Sequence, residues 1–70
     1  MQIEVVTTAG TFYHYDGEHL INDLYYDCKV FHHLDHTRQI LVVQYKSGEN
    51  QKVVEAFIYP FTNLVSVNSK

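Results

Sequence analysis

The chain contains one cysteine, one proline and no tryptophan among its 70 residues. The single cysteine, Cys28, cannot form an internal disulfide, and small proteins without disulfides are typical of reducing compartments. No apolar run approaches the roughly 18 residues that a membrane span requires. The first residues also lack the basic and apolar regions of a signal peptide. We therefore expect a cytoplasmic protein with no membrane segment.

Positive charge is also scarce. The chain carries five Lys and Arg against eight Asp and Glu, and its formal net charge is −3. Nucleic-acid backbones are bound by clustered cations, so we do not expect nucleic acid to be the partner. The glycine-rich phosphate-binding motifs, the C-x-x-C and H-E-x-x-H metal motifs and a glycine-rich nucleophile turn are absent as well. The sequence therefore predicts a non-enzymatic protein that needs no cofactor.

The residues that are abundant favour β-structure. Val, Ile, Thr, Tyr and Phe alternate with polar residues along most of the chain, as is typical of half-buried strands. The alternation predicts strands at residues 2–8, 11–15, 26–34, 38–45, 51–59 and 64–67. Asp16-Gly17 predicts a turn, and Pro60 to Asn63 predicts a single 3₁₀-like turn before the last strand.

These elements predict one mainly β domain over residues 1–70. We expect a small antiparallel sheet or a partly open barrel of five to six strands. The ending, a strand followed by one tight turn and a short strand, resembles that of SH3-like and Sm-like barrels. Residues 18–25 interrupt the alternation, because Leu20, Ile21 and Leu24 recur at helical spacing and Asp16 could cap a helix. We predict one short helical segment there, with a loop or a hairpin strand as alternatives.

Alternation also predicts which side chains are buried. The expected core is Ile3, Val5, Phe12, Leu20, Leu24, Cys28, Val30, Ile40, Val42, Val54, Ala56, Ile58, Val65 and Val67. Within it, Cys28 is in phase with the apolar residues Tyr26 and Val30. We therefore expect a buried, unreactive thiol at Cys28 rather than a nucleophile.

Tyrosine is the most informative residue type, with six copies against four of phenylalanine. A tyrosine ring offers a large apolar area with one hydrogen-bonding tip, which suits protein interfaces. Two other interpretations are a rim of tyrosines around a thin core and a platform on which bases stack. We predict a partner-binding face formed by Tyr13, Tyr15, Tyr45 and Tyr59, with His32 and His33 as a further polar group.

A cluster of histidines lies at the end of the predicted third strand and in the turn after it. His32, His33 and His36 lie beside Asp35, and imidazole and carboxylate groups are metal ligands. Neighbouring residues of a strand point to opposite faces, so His32 and His33 cannot both reach one metal ion without distortion. We interpret the cluster as strand-end and turn residues. A metal site using His32, His33, Asp35 and His36, with Cys28 as a further ligand, is the alternative.

Small size, surplus tyrosine and the absence of a catalytic motif together predict a protein-binding module. A small inhibitor or accessory protein of bacterial or phage type fits these features. Self-association into a homodimer is expected too, because it would cover an exposed sheet edge and stabilise a small core. Two alternatives are an Sm-like or OB-like binder of single-stranded nucleic acid and a histidine-based metal-binding domain.

Overall fold

The computed structural model describes residues 1–48 and 50–70. The strands are β1 (Gln2–Thr7), β2 (Gly10–Tyr15), β3 (Gly17–Ile21), β4 (Leu24–Asp35), β5 (Ile40–Ser47), β6 (Val53–Pro60) and β7 (Leu64–Ser69). A single 3₁₀ turn, Phe61–Asn63, joins β6 to β7 as the sequence predicted. The mainly β prediction is confirmed, although the described residues form seven strands rather than the predicted five to six. The sequence also predicts a turn at residues 47–50, between the strands at 38–45 and 51–59, and residue 49 of this turn lies outside the described residues.

The strands form two antiparallel sheets. One has the order β2-β1-β7 and the other the order β3-β4-β5-β6. The four-stranded sheet curls into a half-barrel, and the three-stranded sheet packs across its concave side through Ile3 and Val5. Nowhere in the described residues does a helix reach the length and apolar character of a membrane span.

The predicted helical segment at 18–25 is wrong. Its residues form β3, a two-residue turn and the start of β4, with Ile21 paired to Leu24 across the turn. The turn residues Asn22 and Asp23 have φ angles of 52° and 66°. Asparagine and aspartate tolerate this left-handed conformation, and two such residues in succession match the twist of a β-hairpin. The helical spacing of Leu20, Ile21 and Leu24 therefore comes from two strands that are joined by a tight turn, and not from a helix.

Asp16 is not a helix cap but fixes the corner between the two sheets. One carboxylate oxygen accepts a hydrogen bond from the Val30 main-chain N–H at 2.8 Å, and the other lies 3.0 Å from the Met1 amine. The Val30 N–H first, and then the Met1 amine, hold the pKa of Asp16 below its ordinary value. The next residue, Gly17, has a φ of 138°, which glycine adopts at no steric cost. The chain can therefore pass from β2 into β3 without a loop.

The buried core contains fewer residues than predicted, and on β5 the buried face is the opposite one to the face predicted. Ile3, Val5, Cys28 and Val30 are buried as expected. On β5, however, the buried residues are Leu41, Val43 and Tyr45, whereas the predicted Ile40 and Val42 lie half-buried on the outer face. Val54 and Val67 are partly buried against the core. The other predicted core residues outside β5 are exposed, namely Phe12, Leu20, Leu24, Ala56, Ile58 and Val65.

Replacing Val43 by Asp should unfold the domain, whereas replacing Val42 by Asp should leave it folded. Val43 is 0% exposed, and an unpaired buried charge costs several kcal/mol, about as much as the roughly 3–5 kcal/mol that a core of this size provides. At Val42 the new carboxylate reaches solvent. Amide NMR dispersion of both variants measures this difference. An unfolded Val42→Asp variant beside a folded Val43→Asp variant would reverse our assignment of the two faces.

Candidate partner-binding cleft

A buried histidine marks the centre of the site. Alternation along β2 places Phe12 and His14 on the same face of the strand, where His14 is 5% exposed and Phe12 remains exposed. Its Nδ1 lies 2.9 Å from the hydroxyl oxygen of Tyr45, and its Nε2 lies 2.7 Å from that of Tyr59. These two hydrogen bonds connect the three-stranded sheet to β5 and β6, so they hold the two sheets in a fixed relation.

Aromatic rings surround this histidine. The Phe57 ring centroid lies 4.8 Å from that of His14, and Phe12 packs 5.9 Å from Tyr59. His19 stands between Tyr15 and Tyr45, with centroid distances of 4.7 and 4.9 Å. Together these side chains line a cleft of about 510 Å³, whose walls are Phe12, Tyr13, His14, Tyr15, His19, Tyr45, Phe57, Ile58 and Tyr59.

All four tyrosines predicted at a contact face lie along this cleft. Tyr13 and Tyr15 are exposed at its rim, Tyr59 is half-buried, and Tyr45 is 6% exposed and belongs to the core. Tyr45 therefore contributes part of the cleft floor, with its hydroxyl already engaged by a ring nitrogen. The hydroxyl groups of Tyr13 and Tyr15, in contrast, make no hydrogen bond within the described part of the chain.

Burial shifts the pKa values of three groups of the cleft toward their uncharged forms. It raises the pKa of Tyr45 to about 12, against the opposing effect of the Tyr15 main-chain N–H. It also raises the pKa of Tyr59. The pKa of His14 is lowered, chiefly by burial and further by the neighbouring His19. The surroundings of Tyr45, Tyr59 and His14 thus favour the uncharged forms of these three side chains, in a cleft lined mainly by aromatic rings.

The predicted histidine group is elsewhere. His32 and His33 are exposed on β4, opposite Val43 and Val42, and lie on opposite faces of the sheet. Asp35 accepts a hydrogen bond from the Arg38 main-chain N–H at 3.1 Å within the β4–β5 turn. Among the described residues, no three metal-ligating side chains come together in a group that could hold a metal ion. The histidine-based alternative therefore lacks an assembled set of ligands.

Cys28 is buried, as the alternation predicted. Burial, and then the charge of Asp27, raises the pKa of its thiol. Because the thiolate is the reactive form, this environment does not favour nucleophilic chemistry at Cys28.

Sequence reasoning missed five residues of the cleft, namely Phe12, His14, His19, Phe57 and Ile58. A signal existed for His14, because it shares a strand face with the predicted core residue Phe12. A buried imidazole needs hydrogen-bond partners, and the six tyrosines of this chain each offer an aromatic ring with a hydroxyl group. Their pairing could have been anticipated, although not which tyrosines provide it.

Comparison with known proteins adds no relative to this description: no family model, curated protein or solved structure matches the chain.

Acid should destabilise the fold through His14. Its pKa is lowered in the folded protein, so above the ordinary value of 6.5 it is neutral in both states and stability is unaffected. As the pH falls below 6.5, the unfolded chain takes up the proton first, and the folded state loses stability until the folded pKa is passed. Urea unfolding at pH 7.5 and 5.0 measures this loss.

The exposed His33 provides the control for that measurement. The His14→Gln variant should lose part of the pH dependence, whereas His33→Gln should retain it. An identical pH dependence in the wild type and in the His14→Gln variant would contradict our placement of His14.

Proposed function

We propose that the protein is a non-enzymatic binding module for another protein and that the aromatic cleft is its contact surface. The observation that carries the proposal is the convergence of the rim tyrosines with exposed Phe12 and Phe57 along one concave surface. Exposed phenylalanines in a concave site desolvate readily, and rim tyrosines add directional hydrogen bonds. An inhibitor or accessory role of bacterial or phage type is compatible with such a surface.

Two features support binding over catalysis. The titratable groups of the cleft are tyrosines and histidines, and the hydroxyls of Tyr45 and Tyr59 are occupied by the His14 ring. The thiol of Cys28 lies in the core with a raised pKa. A general base or a nucleophile must instead be available to a substrate.

The alternative of single-stranded nucleic-acid binding receives less support from the charge distribution. Stacking platforms for bases lie in positively charged grooves. Among the described residues, no Lys or Arg lines the cleft. Lys29 and Lys46 instead face each other on the outer surface of β4 and β5, and the Lys46 ammonium lies 4.9 Å from the Phe31 ring centroid.

Replacing Phe57 by Ala should weaken partner binding about tenfold or more, as removal of a central aromatic anchor does. The matched control is Phe31→Ala, since Phe31 is 40% exposed on the outer face and Phe57 is 41% exposed in the cleft. The measurement is affinity capture from the native host, followed by titration of the captured protein against both variants. Equal affinity of the two variants would place the contact surface elsewhere.

Self-association is the second part of the proposal, with a second copy on the outer face of the half-barrel. There Val42 lies between His33 and Ile58 in one cross-strand row, and Ile58 is exposed. Exposed apolar side chains side by side on a sheet typically mark an interface. This face is opposite to the concave side, so a dimer would leave most of the cleft accessible.

The wild-type protein should sediment as a dimer at about 100 micromolar and dissociate on dilution, whereas the Val42→Asp variant should remain a monomer. A carboxylate at position 42, between His33 and Ile58, would be buried away from water in the dimer. Analytical ultracentrifugation of both proteins makes the comparison, and a monomeric wild type would remove self-association from the proposal.

A further inference from the structure

The free main-chain edge of β2 lies along the cleft. Gln2 in β1 exchanges both its main-chain hydrogen bonds with Lys70. Its main-chain N–H and C=O therefore point away from β2. Main-chain direction alternates along an antiparallel strand, so Ile3 points toward β2 and pairs with His14. Tyr13, the neighbour of His14, therefore directs its N–H and C=O off the sheet edge. Tyr15 has the same phase, and its C=O indeed accepts a hydrogen bond from the His19 ring at 2.8 Å.

The edges of β6 and β3 also remain unpaired by any ladder in the described part of the chain. On β6, Phe61 donates its N–H to Gln39 on the β5 side, so Pro60, Ile58 and Ala56 point off the edge by alternation. The Ala56 N–H agrees with this, since it is bound by the Glu55 carboxylate at 3.2 Å rather than by a strand. The proline, which has no N–H, occupies an edge position where none is needed.

These edges border one continuous trough. The cleft adjoins a smaller hollow of about 170 Å³, and His19, Tyr45 and Phe57 line both. The hollow also contacts Leu20 of β3 and Glu55 of β6, because the curl of the sheet brings its two outer strands close together. The trough thus lies where one more strand would close the half-barrel.

The one acidic side chain of the described residues that lines the trough is Glu55. Glu18 pairs with Asp27 and lies on the outer face of β3. No Lys or Arg of the described residues lines either cavity. The Lys70 ammonium, for example, is paired with Glu4 at 3.6 Å on the other sheet. An occupant with apolar side chains toward the aromatic floor and cations toward the rim complements this arrangement.

We propose that the trough binds an extended, cationic peptide segment, which adds as a β-strand to a free edge. This inference rests on the proposed function and specifies the partner of the same site. Main-chain hydrogen bonds to the edges would supply affinity, and alternate side chains would enter the aromatic floor, as in other cases of strand addition. The carboxylate of Glu55 would select positively charged segments.

The test uses an acetylated ten-residue peptide of alternating valine and lysine. We expect saturable binding in a fluorescence titration, together with slowed amide hydrogen exchange at one or more of the edge residues Tyr13, Leu20 and Ile58. Two control peptides should bind at least tenfold more weakly. One has five valines followed by five lysines, which removes alternation, and the other replaces lysine by glutamate, which reverses the charge.

A charge variant tests the rim. Glu55→Gln should weaken binding of the valine–lysine peptide about two- to fivefold, the size of one exposed ion pair. Asp27→Asn, on the outer face of β4, should have no effect. Absence of binding, equal binding of the control peptides, or binding without amide protection at any of the three edge residues would overturn the inference.

This result is separable from that of the proposed function. A captured partner that loses affinity for Phe57→Ala and is displaced by the valine–lysine peptide supports both. A captured partner that needs Phe57 but is not displaced by the peptide supports the cleft as a contact surface and overturns strand addition.

Discussion

The fold depends on one polar cluster in a mainly apolar interior, the hydrogen bonds of His14 to Tyr45 and Tyr59. The buried apolar side chains of such a core are too few to fix two curved sheets by hydrophobic contact alone, since that attraction has no direction. Hydrogen bonds with defined partners do have direction, and an unpaired partner inside the protein is costly. The imidazole therefore sets the position of β2 over β5 and β6, and with it the shape of the cleft.

The same arrangement explains why the outer edges of β3 and β6 have no partner strand in the described residues. β2 continues into β3 at the Asp16-Gly17 corner, so one strand of each sheet is used to connect them. The half-barrel curls far enough to bring β3 and β6 to a common hollow, yet their edges remain without a shared ladder in the described residues. Proteins usually protect such edges with charge, proline or a covering element. Here Glu55 and Pro60 protect part of β6, and Ile58 between them stays free.

Much of the fold could be predicted from local patterns, because alternation and turn residues act over a few residues. The strands around Val5 and Val30 and the tight turn after Pro60 are of this kind. The phase of β5 could not be predicted, since Ile40 to Val43 are apolar on both faces and only the position of the other sheet decides which are buried. The hairpin across Asn22 and Asp23 likewise depends on the positive φ angles of these two residues, whereas the spacing of the leucines favours a helix. For the cleft, the tyrosines could be named but their assembly around His14 is a tertiary contact.

The two hydroxyls on His14 cannot play the same part. A neutral imidazole carries one N–H and one lone pair, so one tyrosine hydroxyl must accept a hydrogen bond from the ring N–H while the other hydroxyl donates a hydrogen bond to the ring. Two such arrangements exist, and passing between them requires a change of imidazole tautomer and rotation of both hydroxyls together. A partner group that hydrogen-bonds to Tyr59 would favour one arrangement. The Tyr45 hydroxyl, on the far side of the ring, would then change between donating and accepting its hydrogen bond, although no heavy atom moves.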